Sequence, residues 1–304
     1  MQQKTVDNIF YLQLIIIASL IFLLITLLQI FYESYIQTRN NLKDKYNLIQ
    51  DPYSPPFYYI NLDKSINRKQ RYEERLSKYP DVLIERIPAI TPHDIDNFQI
   101  EIPISCQYNS PLEIACTLSH LKAIFTAYKN LVYNISKKKS VPMYALITED
   151  DLIILEMPQW NELVTSAPID WEILQLVASG YLAEHMYNQQ LDGWQKHLQD
   201  MWCCAAYLIN LKGMEKILNV CIPEYKTVDN WNDISFINLQ YKNSNCAADH
   251  LIYSIAKTYT FTQPIFNVEG IDSTIHSHHL PLHHNTINTI NNRFKLRNKL
   301  DDTF

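Results

Sequence analysis

The chain has 304 residues, 47% of them hydrophobic and 19% charged, with a formal net charge of -6. Its four glycines stand at positions 180, 193, 213 and 270, where average usage of roughly 7% would give about twenty. No G-x-G-x-x-G turn and no Walker A loop can be written with them, collagen-like and Gly/Ser-linker classes are excluded, and the mild acidity speaks against nucleic acid as a partner.

In chain order, a tail of residues 1–8 precedes a stretch with no charged residue between Asp7 and Glu33. Residues 9–32 read IFYLQLIIIASLIFLLITLLQIFY. At about 1.5 Å per residue they are long enough to cover the roughly 30 Å hydrocarbon core of a bilayer. The run is longer than the apolar region of a cleaved signal peptide and no A-x-A pattern follows it, so it is predicted to be an uncleaved transmembrane signal anchor. Arg39, Lys43 and Lys45 outnumber Lys4 across this span, which leans towards a cytosolic C-terminal domain. The sequon Asn134-Ile135-Ser136 leans the other way.

Residues 33–56 form a polar stem ending in Asp51-Pro52-Tyr53-Ser54-Pro55-Pro56. A strand is predicted from Phe57 to Leu62, then a charged helix from about Ser65 to Lys78 and a second strand from Val82 to Ile87. Ser110-Pro111-Leu112-Glu113 is a capping box with proline at the first helical position, opening a helix predicted to run to about Tyr133. Further strands are predicted at Tyr144–Ile147, Trp171–Val177, Cys203–Ile209 and Thr258–Phe261, with helices at Lys212–Leu218 and Ala247–Lys257. This alternation implies an α/β sandwich with a largely parallel central sheet. The C-terminal residues 281–304 are Asn-rich and basic (Arg293, Lys295, Arg297, Lys299) and read as a mobile tail or a surface helix. The six cysteines (Cys106, Cys116, Cys203, Cys204, Cys221, Cys246) form no C-x-x-C pair; they read as buried free thiols, with one or two disulfides as the alternative in an oxidising lumen.

The strongest chemical signal is Glu149-Asp150-Asp151, directly after an apolar strand. In open α/β sheets ligands bind beyond the carboxyl ends of strands. Carboxylates crowded there repel, and a hard cation such as Mn²⁺ or Mg²⁺ relieves that repulsion while bridging diphosphate oxygens. The plain alternative is a solvated acidic turn. His276, His278, His279, His283 and His284 are further imidazoles for such a site, or a surface loop. Ser119-His120 sits in mid-helix, where packing is the commoner role. Asp249 opens the last predicted helix, where it offsets the helix dipole or supplies a carboxylate to a cleft.

Taken in order, these segments resemble glycosyltransferase family 25, which holds lipooligosaccharide galactosyltransferases and collagen galactosyltransferase-like proteins. The matching pieces are Tyr59-Ile60-Asn61-Leu62-Asp63 with Arg68 and Arg71, then Glu85-Arg86-Ile87-Pro88-Ala89, and Glu113-Ile114-Ala115-Cys116-Thr117-Leu118-Ser119-His120. Tyr144 to Asp151, Trp171 to Leu176, Ala206 to Ile209, Ala248-Asp249 and Ser273-Thr274-Ile275 follow, and Ala115 stands where the family usually has glycine. The resemblance implies a nucleotide-diphospho-sugar transferase fold of the GT-A type over residues 57–280. It implies inverting, metal-assisted transfer of a hexose, galactose or glucose, from a UDP-sugar donor to a hydroxyl of a glycan or protein acceptor. In that reading Asn61, Arg68, Glu149, Asp150, Ser119 and His120 contact the sugar nucleotide. Glu149, Asp151 and His276 hold Mn²⁺ (or Mg²⁺), and Asp249 is the base that deprotonates the acceptor. Anchored sugar transferases of this layout face the ER or Golgi lumen, which sets the expectation for this domain against its flanking charges. The rival reading is a catalytically inactive relative serving as a membrane-tethered binding module.

Overall fold

The computed structural model describes residues 17, 19–27, 29–30, 33, 54–106, 109–189, 191–242, 244–270 and 280–301. It divides into two units, Met1–Gln50 and Asp51–Phe304. In the first unit every described residue is helical. Leu20 to Ile25 are six consecutive apolar side chains, each more than half exposed. Among the described residues no helix is long and apolar enough to cross a membrane. The remainder of the predicted 9–32 anchor, the tail 1–8 and the stem from 34 to 53 lie outside the described residues.

The second unit is built on β1 (Phe57–Asn61), α1 (Ile66–Leu76), β2 (Ile84–Pro88), β3 (Gln99–Glu101), α2 (Pro111–Ser136), β4 (Tyr144–Glu149) and β5 (Leu152–Ile154). There follow α3 (Trp160–Ser166), β6 (Ile173–Gln175), α4 (Tyr181–Asn188), β7 (Trp194–Lys196), β8 (Ala206–Asn210) and α5 (Leu211–Cys221). The chain ends in β9 (Phe236–Asn238), α6 (Ala248–Ile255), β10 (Thr258–Phe261), β11 (Phe266–Val268) and α7 (Leu280–Asp301). Seven strands form one sheet in the order β2-β1-β4-β8-β6-β10-β7.

The apolar strands are buried on both faces, which is why they read as unbroken hydrophobic runs rather than alternating ones. Phe57, Tyr59, Tyr144, Leu146, Ala206 and Leu208 face one core with α1, α3 and α4. Their neighbours Tyr58, Ile60, Ala145, Ile147, Tyr207 and Ile209 face the other with α2, α5 and α6. The period of two thus divides each strand between two cores.

The sheet is mixed, which corrects the expectation of a largely parallel one. The β1–β2, β1–β4 and β6–β10 pairs are parallel, but β8 lies antiparallel between β4 and β6 and β7 lies antiparallel on β10. Hydrophobic pattern cannot reveal this, because a strand buried on both faces has the same composition in either direction.

The C-terminal segment is a docked helix rather than a mobile tail. Thr286, Ile290 and Arg293 of α7 are buried. Thr286 accepts from the Gly180 amide (3.3 Å), and Asn267 donates to the Ile287 carbonyl (3.2 Å) and to Asn291 (3.0 Å).

Gly213 is the one glycine whose placement is set by space rather than by φ. A β-carbon there would stand 2.6 Å from the Glu172 carbonyl oxygen and 3.1 Å from Ile209. Gly213→Ala must push α5 off the strand it follows, and is expected to lower stability by about 1–3 kcal/mol, read as a lower denaturation midpoint at unchanged slope.

Candidate active site at the carboxyl end of β4

The site grows from three adjacent pieces of chain. β1 and β4 run parallel with Ile60 opposite Glu149, so Asn61 leaves its strand beside Asp150. The Asn61 amide donates to Asp150 Oδ2 (2.6 Å) and to the Ser65 carbonyl (3.2 Å), while its Oδ1 accepts from Arg86 Nε (2.9 Å). The buried amide therefore ties β1, β2 and the acidic turn together. From the first turn of α1, Arg68 forms an ion pair with Asp150 and stands 3.5 Å from Asp151 Oδ2. Burial raises the Asp150 carboxyl and outweighs the opposing pull of Arg68 and Asn61.

Asp151 carries the larger perturbation. Burial, with the Glu149 charge second, pushes its carboxyl up to about 7 against the pull of Arg68. Two buried polar atoms here have no hydrogen-bond partner, Asp151 Oδ1 and Arg68 Nε. One is an acceptor and the other a donor, so the pair suits a ligand that brings both a positive and a negative group. Buried polar atoms are satisfied in the great majority of cases, which makes this pairing informative.

A second ionic layer supports the first. Glu269, after β11, takes two hydrogen bonds from Arg71 (3.0 and 2.8 Å) and an ion pair from Arg75. Its amide donates to the Asp151 carbonyl (2.9 Å), and Arg75 donates to the Leu152 carbonyl (2.8 Å). Arg68, Arg71 and Arg75 lie on one face of α1, and this stripe fixes the backbone on the far side of the acidic turn. Sequence reasoning missed Arg75 and Glu269; the spacing of 68, 71 and 75 on a helix was the available signal.

On the other side, His120 of α2 points its Nε2 at Glu149 Oε1 (3.3 Å), with Nδ1 against the Tyr207 hydroxyl (3.2 Å). Ser119 does not join this cluster. It is buried, its hydroxyl donating to the Ala115 carbonyl (2.7 Å) and accepting from the Ile90 amide (2.8 Å), so it ties α2 to the segment after β2. His276, with His278 and His279, lies outside the described residues, and His284 donates to the Gly270 carbonyl (3.1 Å).

Asp249 opens α6. Its Oδ2 accepts from the Cys203 amide (3.0 Å) and its Oδ1 from the His250 amide (2.9 Å). Cys203 has φ +94, a left-handed conformation that costs a β-carbon residue roughly 1–3 kcal/mol. That kink is why the strand predicted from Cys203 begins only at Ala206. Burial first, and the Glu149 charge next, hold the Cys203 thiol well above its ordinary value, with Asp151 and Asp249 also contributing. The same turn meets both acidic pieces of chain: Asp249 holds the Cys203 amide, and the Glu149 amide donates to the Ala205 carbonyl (3.0 Å).

The strained turn is held from behind by buried Gln175, whose amide donates to the carbonyls of Met201, Trp202 and Cys203 (3.2, 2.8 and 3.1 Å). Gln175 Oε1 accepts from His197 Nδ1 (3.1 Å) and Thr260 (2.7 Å). Burial lowers His197 to about 4. Because its folded value lies below the ordinary 6.5, its contribution is complete above pH 6.5 and is lost as pH falls towards 4. The loss amounts to up to about 3 kcal/mol. His197→Gln is expected to flatten the fall in stability between pH 6.5 and 4, read by denaturant unfolding across that range.

The family model of glycosyltransferase family 25 (LPS biosynthesis protein) matches residues 54–231. The chain belongs to glycosyltransferase family 25, and so is a sugar transferase by family. Among solved structures, the galactosyltransferase LgtC in complex with donor and acceptor sugar analogs is similar at 12% identity over 67% of this chain and 72% of that one, with a TM-score of 0.30. An active-site mutant of LgtC is similar at 10% identity over 77% of this chain and 95% of that one, with a TM-score of 0.27. No curated protein matches the chain.

Proposed function

We propose that this chain transfers a hexose, galactose or glucose, from a UDP-sugar to a hydroxyl of a glycan or protein acceptor, with inversion and with a divalent cation, Mn²⁺ or Mg²⁺. The observation that carries the reading is the orphaned pair: Asp151 Oδ1 lacks a donor and Arg68 Nε lacks an acceptor. A cation on the first and a diphosphate oxygen on the second satisfy both at once, and hard carboxylate oxygens suit such an ion. The cation when bound supplies charge stabilisation to the departing diphosphate. Asp151 and Glu149 hold it in this reading, with His276 as a further ligand, while Arg68 draws the diphosphate into register. Asp249 accepts the proton of the attacking hydroxyl on the opposite side of the sugar carbon.

A catalytically inactive, tethered relative is the competing reading, and it leaves the two orphaned atoms unexplained. Anchoring through residues 9–32 belongs to the proposal too. The charge-free run supports it, as does the exposure of Leu20 to Ile25 on every side of their helix, since a helix apolar all round calls for cover. A domain facing the lumen of the secretory pathway completes it.

The test is thermal unfolding of the detergent-solubilised full chain with UDP-galactose and UDP-glucose, each with Mn²⁺ and with a chelator. A ligand at a hundred times its dissociation constant adds about 2.7 kcal/mol. Stabilisation by at least one sugar nucleotide that vanishes with chelator is expected. No shift with either, metal present, overturns the proposal.

A further inference from the structure

Cys116 and His120 stand four residues apart on α2, one turn above the other on the same face. Both meet the end of β4: the Cys116 sulfur, a His120 ring nitrogen and a Glu149 carboxylate oxygen all lie within 4.8 Å of one another. A thiol is not needed for the His120–Glu149 hydrogen bond, yet it completes a mixed sulfur, nitrogen and oxygen set.

The surroundings have the form of a metal site's supporting shell. His120 is wholly buried. The Tyr207 hydroxyl at its Nδ1 (3.2 Å) leaves Nε2 facing Glu149, and outer hydrogen bonds of this kind orient metal-binding imidazoles. The rotation of α2 is fixed on both flanks. Thr117 hydrogen-bonds the Cys246 carbonyl, and Ser119 binds the Ile90 amide (2.8 Å). The ligand atoms of a tetrahedral zinc ion stand roughly 3.3–3.8 Å apart by its usual bond lengths, so closure requires movement of about an ångström. Glu149 is a third exposed at its side chain, which gives the fourth position access to solvent.

We infer that Cys116, His120 and Glu149 form a three-ligand site for a thiophilic divalent ion of the Zn²⁺ or Co²⁺ type, distinct from the Asp151 position and sharing Glu149 with it. Thiolate and imidazole favour such ions over Mn²⁺ or Mg²⁺, for which carboxylate and water oxygens are the natural ligands. Binding releases the Cys116 thiol proton to solvent. An ion there fixes one oxygen of Glu149 and so sets the direction of the other.

The experiment uses the full chain in detergent, stripped with chelator and titrated with cobalt chloride. One equivalent is expected to develop a thiolate-to-cobalt charge-transfer band with an intense visible band. Zinc should bleach both, and an equal amount of manganese neither. Cys116→Ser should remove the charge-transfer band while Cys221→Ala, in the core away from the cluster, keeps it. Absence of the band in the wild type, or its survival in Cys116→Ser of native circular dichroism, overturns the inference. Either failure leaves UDP-sugar binding with manganese to be judged separately, and loss of that binding does not remove the band.

Discussion

Asp151→Asn is expected to lower sugar transfer by at least about a hundredfold while raising the stability of the metal-free protein. The two effects share one cause. Asp151 is half-buried, follows Glu149 and Asp150 directly, and has one buried oxygen without a hydrogen-bond partner; its ion-pair partner Arg68 lies 3.5 Å away and is already engaged by Asp150. Its carboxyl is raised to about 7, so the folded state holds a proton that the unfolded chain releases near 4. Stability from this group is therefore full below pH 4, falls as pH rises to 7, and is gone above it. Asparagine carries no charge to desolvate and should restore about 1–3 kcal/mol at pH 8, a discounted share of the roughly 4 kcal/mol that three pH units represent. The gain should vanish near pH 4. Such a trade of stability for activity marks a functional group rather than a structural one. Thermal unfolding in chelator at the two pH values, with UDP release as the activity readout, checks both halves. A variant that loses stability at pH 8 would show instead that Asp151 serves as a partner of Arg68.

The sequence made the frame of this site legible where local chemistry decides structure. The Ser110–Glu113 capping box forms as read, with the Ser110 amide 2.7 Å from Glu113 and the Glu113 amide 3.2 Å from Ser110, and it sets the phase that turns Cys116 and His120 inward. β1, β4 and β8 were visible because strands buried on both faces leave runs that nothing else explains. What was hidden depends on distant partners. The 198-residue separation between Arg71 and Glu269 leaves no local trace. The buried stripe of α7 includes Thr286 and Arg293, so its docking face does not look apolar. Trp231 packs against Phe98 (5.7 Å) and Phe125 (6.1 Å) in the core, a contact between segments far apart in the chain. Three-residue strands such as β3, β7 and β9 are too short to show any period, and their pairing alone defines them.

Asp249→Asn is expected to reduce kcat by about 10²–10⁴ with little change in the affinity for UDP-sugar and Mn²⁺. The carboxylate has two tasks that this substitution separates. As a tether it accepts from the Cys203 amide (3.0 Å) and so helps hold a left-handed turn at φ +94. As the proposed base it must take a proton from the acceptor hydroxyl. Asparagine keeps one oxygen for the Cys203 amide but has no basic lone pair of comparable strength, so the turn survives and the proton transfer does not. Asp249→Ala removes both, freeing the strained turn and leaving the Cys203 amide unpaired, and should cost about 1–3 kcal/mol of stability besides. The decisive reading is kcat against the affinity for the donor. If Asp249 is the base, the asparagine variant loses kcat while binding UDP-sugar and Mn²⁺ as the wild type does. If asparagine retains wild-type kcat, Asp249 acts only through the Cys203 turn, and the base must be another group.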